Sequence, residues 1–411
     1  MMPDKTQTRP VTGNAHKIKR AGSLALLAAF VALATPIFRD NVRASDSDPA
    51  APTPVSLGEK IFSDASLSAS GTMSCATCHD PQRAHAQNNA LSVQFGGPRL
   101  DVGGTRAVPS LRYVSTIPVF NLDDGPVGGF NRDGRAIDLI DQASRPLLSP
   151  NEMANTSADE VVAKLAAAPY AAEFQRVFGA NIFDDVDTAF LAIRFSLAQY
   201  QKFAPEFRPF DSKYDYFLKG KARLDPAELR GLALFNRADK GNCAACHPSQ
   251  RGPKGEPPLF TDFSYDNLGV PRNDDIPANA DPEYADMGLC GPFRTDLVDS
   301  TDLCGAFKVP TLRNVATRQV FFHNGRFHTL RDALRFYARR DTNPEQFFPT
   351  DADGVVQKFN DLPPELRAGV NTSEVPYDRQ LGDEPRLSEA ELDDLEAFLN
   401  TLTDGYQPSS N

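Results

Sequence analysis

Residues 71–80 read GTMSCATCHD, and residues 241–250 read GNCAACHPSQ. Each stretch holds Cys-x-x-Cys-His: Cys75, Cys78 and His79 in the first, Cys243, Cys246 and His247 in the second. The spacing is that of covalent haem attachment, in which the thiols add to the vinyl groups and the histidine is the proximal iron ligand. One short turn must set both sulfurs at the ring edge and the imidazole on its axis. A zinc site would need two further ligands per cysteine pair. A thioredoxin-type dithiol has no use for the trailing histidine. Two copies predict two covalently bound c-type haems.

The N-terminus carries a basic run, His16 to Arg20, then an apolar stretch from Ala21 to Ala34. That stretch is too short for a comfortable membrane span and is followed by small-residue exits at Ala34 and Ala44. Residues 1–44 are therefore expected to be a cleaved signal peptide, with no stable membrane span left after cleavage. The segment holds seven Lys/Arg and two Asp/Glu, which leaves a net charge of −16 on the rest. Such acidity argues against nucleic acid and suits a partner with a basic face. Export implies the periplasm, an oxidising compartment. There Cys290 and Cys304 are expected to form a disulfide worth ~3 kcal/mol in the loop-entropy account.

The motifs lie 168 residues apart in a chain of 411, room for two cores. Helix signals dominate. Asp225, Pro226 and Glu228 cap a helix whose stripe reads Leu229, Leu232 and Phe235, with Ala233 beside it, and SLGEKIF looks like a shorter counterpart before the first motif. Ser157 with Glu160, and Ser388 with Glu391, read as capping boxes. Phe190, Ile193, Leu197 and Tyr200 share one face, as do Leu392, Leu395, Leu399 and Leu402. The 33 prolines and 27 glycines require long loops. The fold class is mainly α, with two tandem cytochrome c-like haem lobes over 50–205 and 206–405.

Four stretches carry a family resemblance: SLGEKIFSDASLSASGTMSCATCHDP (56–81), DGRAIDLIDQASRPLLSPNEM (133–153), LFNRADKGNCAACH (234–247) and FKVPTLRNVATRQVFFHNGRFHTLRDALRFY (307–337). In content and order the chain resembles the bacterial dihaem cytochrome c peroxidases, and within them the MauG-like group. The resemblance implies that hydrogen peroxide reacts at the haem on His79 and that the haem on His247 stores and passes electrons. It implies a distal pocket of Gln142, Pro146 and Glu152, with Glu152 shuttling a proton between the peroxide oxygens. Conventional members resemble AVRIM where this chain has ALRFY, which makes Tyr337 the sixth ligand of the second iron. A histidine over the first iron is the alternative, with His85 the first candidate.

Three departures stand out. The chain has no tryptophan, and Arg132 occupies the tryptophan position of the family's WDGR. The calcium-binding asparagine and threonine are replaced by Ala107 and Arg318. Calcium is therefore not carried over; Arg318, with Arg132, is expected to supply the central positive charge. The loop of Cys290 and Cys304 has no counterpart in shorter members. The functions implied are a MauG-like peroxidase oxidising a partner protein, or a conventional peroxidase detoxifying peroxide with electrons from a small cytochrome c or cupredoxin. The remaining reading, a dihaem electron carrier, requires His85 or Met153 to close the first iron.

Overall fold

The structure is a computed structural model that describes residues 51–408. The expected signal segment, 1–44, lies outside the described residues. Among the described residues are ten α-helices and two short antiparallel ribbons. In chain order the helices are α1 (Pro54–Ser63), α2 (Cys75–Cys78), α3 (Leu139–Leu148), α4 (Ala158–Ala166), α5 (Ala171–Phe178), α6 (Val186–Phe203), α7 (Lys213–Leu218), α8 (Pro226–Asn236), α9 (Leu330–Arg339) and α10 (Glu389–Asn400). The ribbons pair β1 (Phe95–Gly96) with β2 (Val102–Gly103), and β3 (Tyr265–Asp266) with β4 (Phe307–Lys308). No described helix is long and apolar enough to cross a membrane. Cys290 and Cys304 are joined by a disulfide.

Each lobe is built on a helix pair crossing at a glycine. Helix α1 starts at Thr53, whose hydroxyl accepts from Ser56 N while Pro54 fills the first turn. It buries Leu57, Gly58, Ile61 and Phe62 and packs on α6, whose Phe190, Ile193, Leu197 and Tyr200 are all buried. Helix α8 starts at the Asp225–Glu228 capping box and packs on α10, which starts at the Ser388–Glu391 box. A Cβ on Gly58 would stand 2.1 Å from the Ser196 carbonyl oxygen, and one on Gly231 1.9 Å from that of Asp394. Only glycine lets backbones approach this closely.

The seam through Gly231 corrects one expectation. Helix α8 buries Gly231, Leu234 and Phe235, while Leu229 is 45 % exposed. The apolar stripe read from Leu229 is thus rotated toward the glycine. The Ser157 box is also incomplete: Ser157 accepts from Glu160 N, but the Glu160 carboxylate accepts from Thr156 N instead. Leu392, Leu395, Leu399 and Leu402 are buried against Phe235 and Leu234 in one core.

The lobes repeat one another in detail. Phe62 lies 5.5 Å from Tyr200 and 5.9 Å from His85, ring centre to ring centre; Phe235 lies 5.2 Å from Phe398 and 6.0 Å from Phe260. The loop VPSLRYVST (108–116) matches VPTLRNVAT (309–317). In both, a residue in the left-handed region (Tyr113, φ 63°; Asn314, φ 61°) precedes a 3-10 turn. Asn131 and Phe322 (φ 62° and 65°) repeat the pattern before the glycines Gly134 and Gly325 (φ 67° and 65°). The copies meet reciprocally: Ala107 N donates to His323 O at 2.7 Å, and Lys308 N donates to Arg132 O at 2.8 Å.

Candidate active site

Helix α2 is one turn long and presents Cys75 and Cys78, with His79 at its C-terminal end. The second motif forms a 3-10 turn over Cys243–Ala245. All four cysteines are unpaired. His79 Nδ1 donates to the carbonyl oxygen of His85 at 3.1 Å, and His247 Nδ1 to that of Phe260 at 2.8 Å. Those carbonyls are aimed by matching left-handed backbones, φ 52° at His85 and 53° at Phe260. With Nδ1 donating, each imidazole keeps Nε2 as its acceptor, the state an iron ligand needs. Burial, the dominant influence, also pushes His79 down to about 4 and lowers His247, so both rings are neutral.

A cavity of about 330 Å³ joins the two lobes. On one side it is lined by Cys243, Cys246, His247 and Tyr337; on the other it reaches Ala84, Leu111 and Gln142. Two histidines held at Nδ1 with unpaired thiols beside each fit two c-type haems; the largely apolar cavity takes in the second motif, while Cys75, Cys78 and His79 are not among its lining residues.

The residues expected on the distal side of the first motif, Gln142, Pro146 and Glu152, lie on α3 and the turn after it. Gln142 and Pro146 are one turn apart on α3, and Met153 N donates to Pro146 O. Glu152 has the accessible surface of an exposed residue, yet its carboxyl sits deep among protein atoms. It is near enough to Cys75 and Cys78 to add to the rise of both thiols, which comes first from burial. Burial raises the Glu152 pKa, partly opposed by Arg135. Ribbon glycine Gly96 has no room for a side chain against the Asn151 and Glu152 carbonyls, and Gly97 N donates to Glu152 O.

Helix α9 is the second lobe's copy of α3. Asp138 caps α3 through Asp141 N, and Thr329 caps α9 through Asp332 N. With these caps aligned, Pro146 and Tyr337 occupy the same position, eight residues on. Tyr337 lies in the second side of the cavity, its phenol raised first by burial and then by the charges of Cys243 and Asp266.

His85 is not where a distal ligand would be. Its carbonyl serves the proximal histidine, and its ring stacks on Phe207 at 4.1 Å, in the slot that Phe260 fills in the other lobe. Neither of its ring nitrogens has a partner. Met153 is buried beside α3. His323 stacks on Phe307 at 3.7 Å and lines the cavity. Sequence reasoning missed Tyr377, whose ring lies 5.9 Å from that of Tyr337 under the Arg340 guanidinium. It also missed the His85 and Phe260 carbonyls, although the repeated VP-[ST]-LR loops signal the duplication that pairs them.

A mainly helical chain with two duplicated c-type haem seats, one beside a carboxyl and one beside a phenol, defines a dihaem oxidoreductase. The profile of the di-haem cytochrome c peroxidase family matches residues 52–223. The methylamine utilization protein MauG of Paracoccus denitrificans is 36 % identical over 385 residues, covering 89 % of this chain and 92 % of that one. The cytochrome c551 peroxidase of Nitrosomonas europaea is 31 % identical, covering 70 % and 74 %. The crystal structure of the diheme peroxidase BthA from Burkholderia thailandensis superposes with a TM-score of 0.77 at 39 % identity, covering 86 % of each chain. The chain belongs to the di-haem cytochrome c peroxidase family and is a peroxidase carrying two c-type haems.

Proposed function

We propose that this peroxidase works in the periplasm, reducing hydrogen peroxide in the first lobe and drawing electrons through the second from a partner protein, in a MauG-like manner. The observation that carries the division of labour is the shared helix position held by Pro146 in α3 and Tyr337 in α9. A proline offers no side-chain donor atom, so an iron held by His79 would gain no ligand from this position, whereas the Tyr337 phenol would offer one to an iron held by His247. Haems on the two motifs supply the iron at which the O–O bond is broken and the centres that hold the oxidising equivalents. His79 and His247 hold them from the proximal side, oriented by the His85 and Phe260 carbonyls. In the first lobe Glu152 takes the proton from one peroxide oxygen and delivers it to the other, and Gln142 orients the peroxide. Burial raises the Glu152 pKa, the direction that favours a carboxyl able to hold as well as release a proton. In the second lobe a phenolate from Tyr337 would stabilise oxidised iron, which would make that haem a poor acceptor from a small electron carrier and a better store of an oxidising equivalent for use on a protein residue.

Low-temperature EPR of the ferric holo-protein tests this. One high-spin and one low-spin signal are expected, and Tyr337→Phe is expected to convert the low-spin signal to a second high-spin one. Two low-spin signals in the unsubstituted protein would overturn the open first site.

A further inference from the structure

Cations cluster where the lobes join, and Arg132 and Arg318 among them are held by carbonyl oxygens. Arg106 is balanced: it donates to Asp286 at 2.6 and 2.7 Å and to Asp133 at 2.7 Å, and Arg135 shares Asp133. Arg132 instead spends Nε and an Nη on one carbonyl oxygen, that of Ala107, at 3.0 and 2.9 Å. Arg318 reaches the next carbonyl, Val108 O, at 2.9 Å and also donates to Val320 O. Among the described residues neither arginine makes an ion pair. Both line the cavity that takes in Cys243, Cys246 and His247 of the second motif, beside Lys308.

Packing two like charges side by side in a partly buried site is unfavourable unless an anion compensates. Burial followed by the neighbouring Arg318 pushes Arg132 down to about 9, and burial pushes Arg318 down to about 10. The fold does not require these cations. At the corresponding positions of the other lobe stand His323 for Arg132 and Ile117 for Arg318, on the same backbone frame. They are therefore additions to the duplicated frame, facing the cavity that residues of both lobes line. A guanidinium is shaped to hold a carboxylate.

We propose that Arg132 and Arg318 form a carboxylate seat between the lobes, filled by propionate groups of the bound haems. The seat ties the two haems to one positive centre where the chain has neither the family's tryptophan nor its calcium ligands. It rests on both motifs carrying haem, which a pyridine haemochrome count of two per chain checks independently. A count below two in the unsubstituted protein overturns the haem assignment and the seat with it.

The test uses holo-protein with Arg132→Gln, Arg318→Gln and both together. Propionate bending bands in resonance Raman and haem midpoint potentials are recorded with and without added acetate or chloride. Losing a cation beside a haem disfavours the added electron, so at least one midpoint should fall in each variant. The fall should be largest in the double variant, the propionate bands should shift, and the unsubstituted protein should ignore added anion. Unchanged bands and potentials would overturn the proposal, as would saturable displacement by acetate or chloride, which would make the occupant an external anion. If a glutamine variant fails to load haem, Arg132→Lys and Arg318→Lys keep the charge without the fork. A smaller band shift in the same direction then supports the seat, and none overturns it.

Discussion

The first lobe and the second share a frame and differ in chemistry. Each crosses two helices at a glycine, hangs a Cys-x-x-Cys-His turn beside them, and aims a carbonyl from a left-handed residue at the proximal histidine. Where the frame is fixed twice, substitutions stand out as choices. Pro146 against Tyr337 is the contrast on which the proposed division between the two irons rests; His85 against Phe260 changes nothing in ring position. Arg132 against His323 and Arg318 against Ile117 bring one added cation from each lobe to the junction. The duplication thus acts as an internal control that separates residues needed to fold a haem lobe from residues added to make two different ones.

The sharpest way to break that comparison is to remove the proton shuttle from the first lobe alone. Glu152→Gln is expected to lower peroxide turnover by roughly 10²–10⁴-fold, the usual span for a positioned acid–base group. The low-spin EPR signal of the second lobe should be unchanged. Because burial raises the carboxyl pKa, the acid limb of the rate profile should lie above the ordinary 4.5 and disappear in the variant. A rate within threefold of the parent would remove Glu152 from the mechanism.

A second contrast lies in the two loop arginines. Arg313 makes a paired contact with Asp215, both bonds 2.9 Å and both side chains buried, beneath the rings of Tyr113 and Phe210. Burial alone would raise the Asp215 pKa, and Arg313 overrides it, so the carboxyl lies below its ordinary 3.8. The stabilisation is present above that value and lost as pH falls through the folded one. Its counterpart Arg112 makes a single 2.8 Å bond to Asp404, a carboxylate already held by Tyr113 and Asn314. Arg313→Met leaves a buried carboxylate unpaired and should cost about 3–5 kcal/mol. Arg112→Met should cost about 1.5–3 kcal/mol. Denaturant unfolding of the holo-protein distinguishes them, and equal losses would mean that the two loops are not differently anchored.

Much of this frame could be read from the chain. The Cys-x-x-Cys-His turns declare the haem seats because their geometry is local, and the caps at Asp225 and Ser388 declare their helices for the same reason. What could not be read depended on partners distant in sequence. The burial of α8 follows Gly231 rather than Leu229 because the deciding contact is the Asp394 carbonyl, 163 residues away. His85 looked available as a ligand because its histidine chemistry is visible and its aromatic slot between Phe62 and Phe207 is not. Tyr377 belongs to no motif, and only a loop return brings it beside Tyr337.

The smallest expected effect is also the one that tests the frame itself. In Gly58→Ala the new methyl meets the Ser196 carbonyl, and in Gly231→Ala that of Asp394; both obstacles are backbone and cannot rotate aside. The helix pair must separate, opening the contacts of Phe62 with Tyr200 in one lobe and Phe235 with Phe398 in the other. Overpacking of this kind costs roughly 1–3 kcal/mol, set against the few tenths to 1 kcal/mol that alanine returns in helix propensity. The two variants should therefore destabilise the holo-protein by similar amounts, measured by denaturant unfolding, while both EPR signals persist. A large loss for one with none for the other would show that the crossings are not equivalent, and the residue-by-residue matching of Pro146 with Tyr337 would lose its foundation.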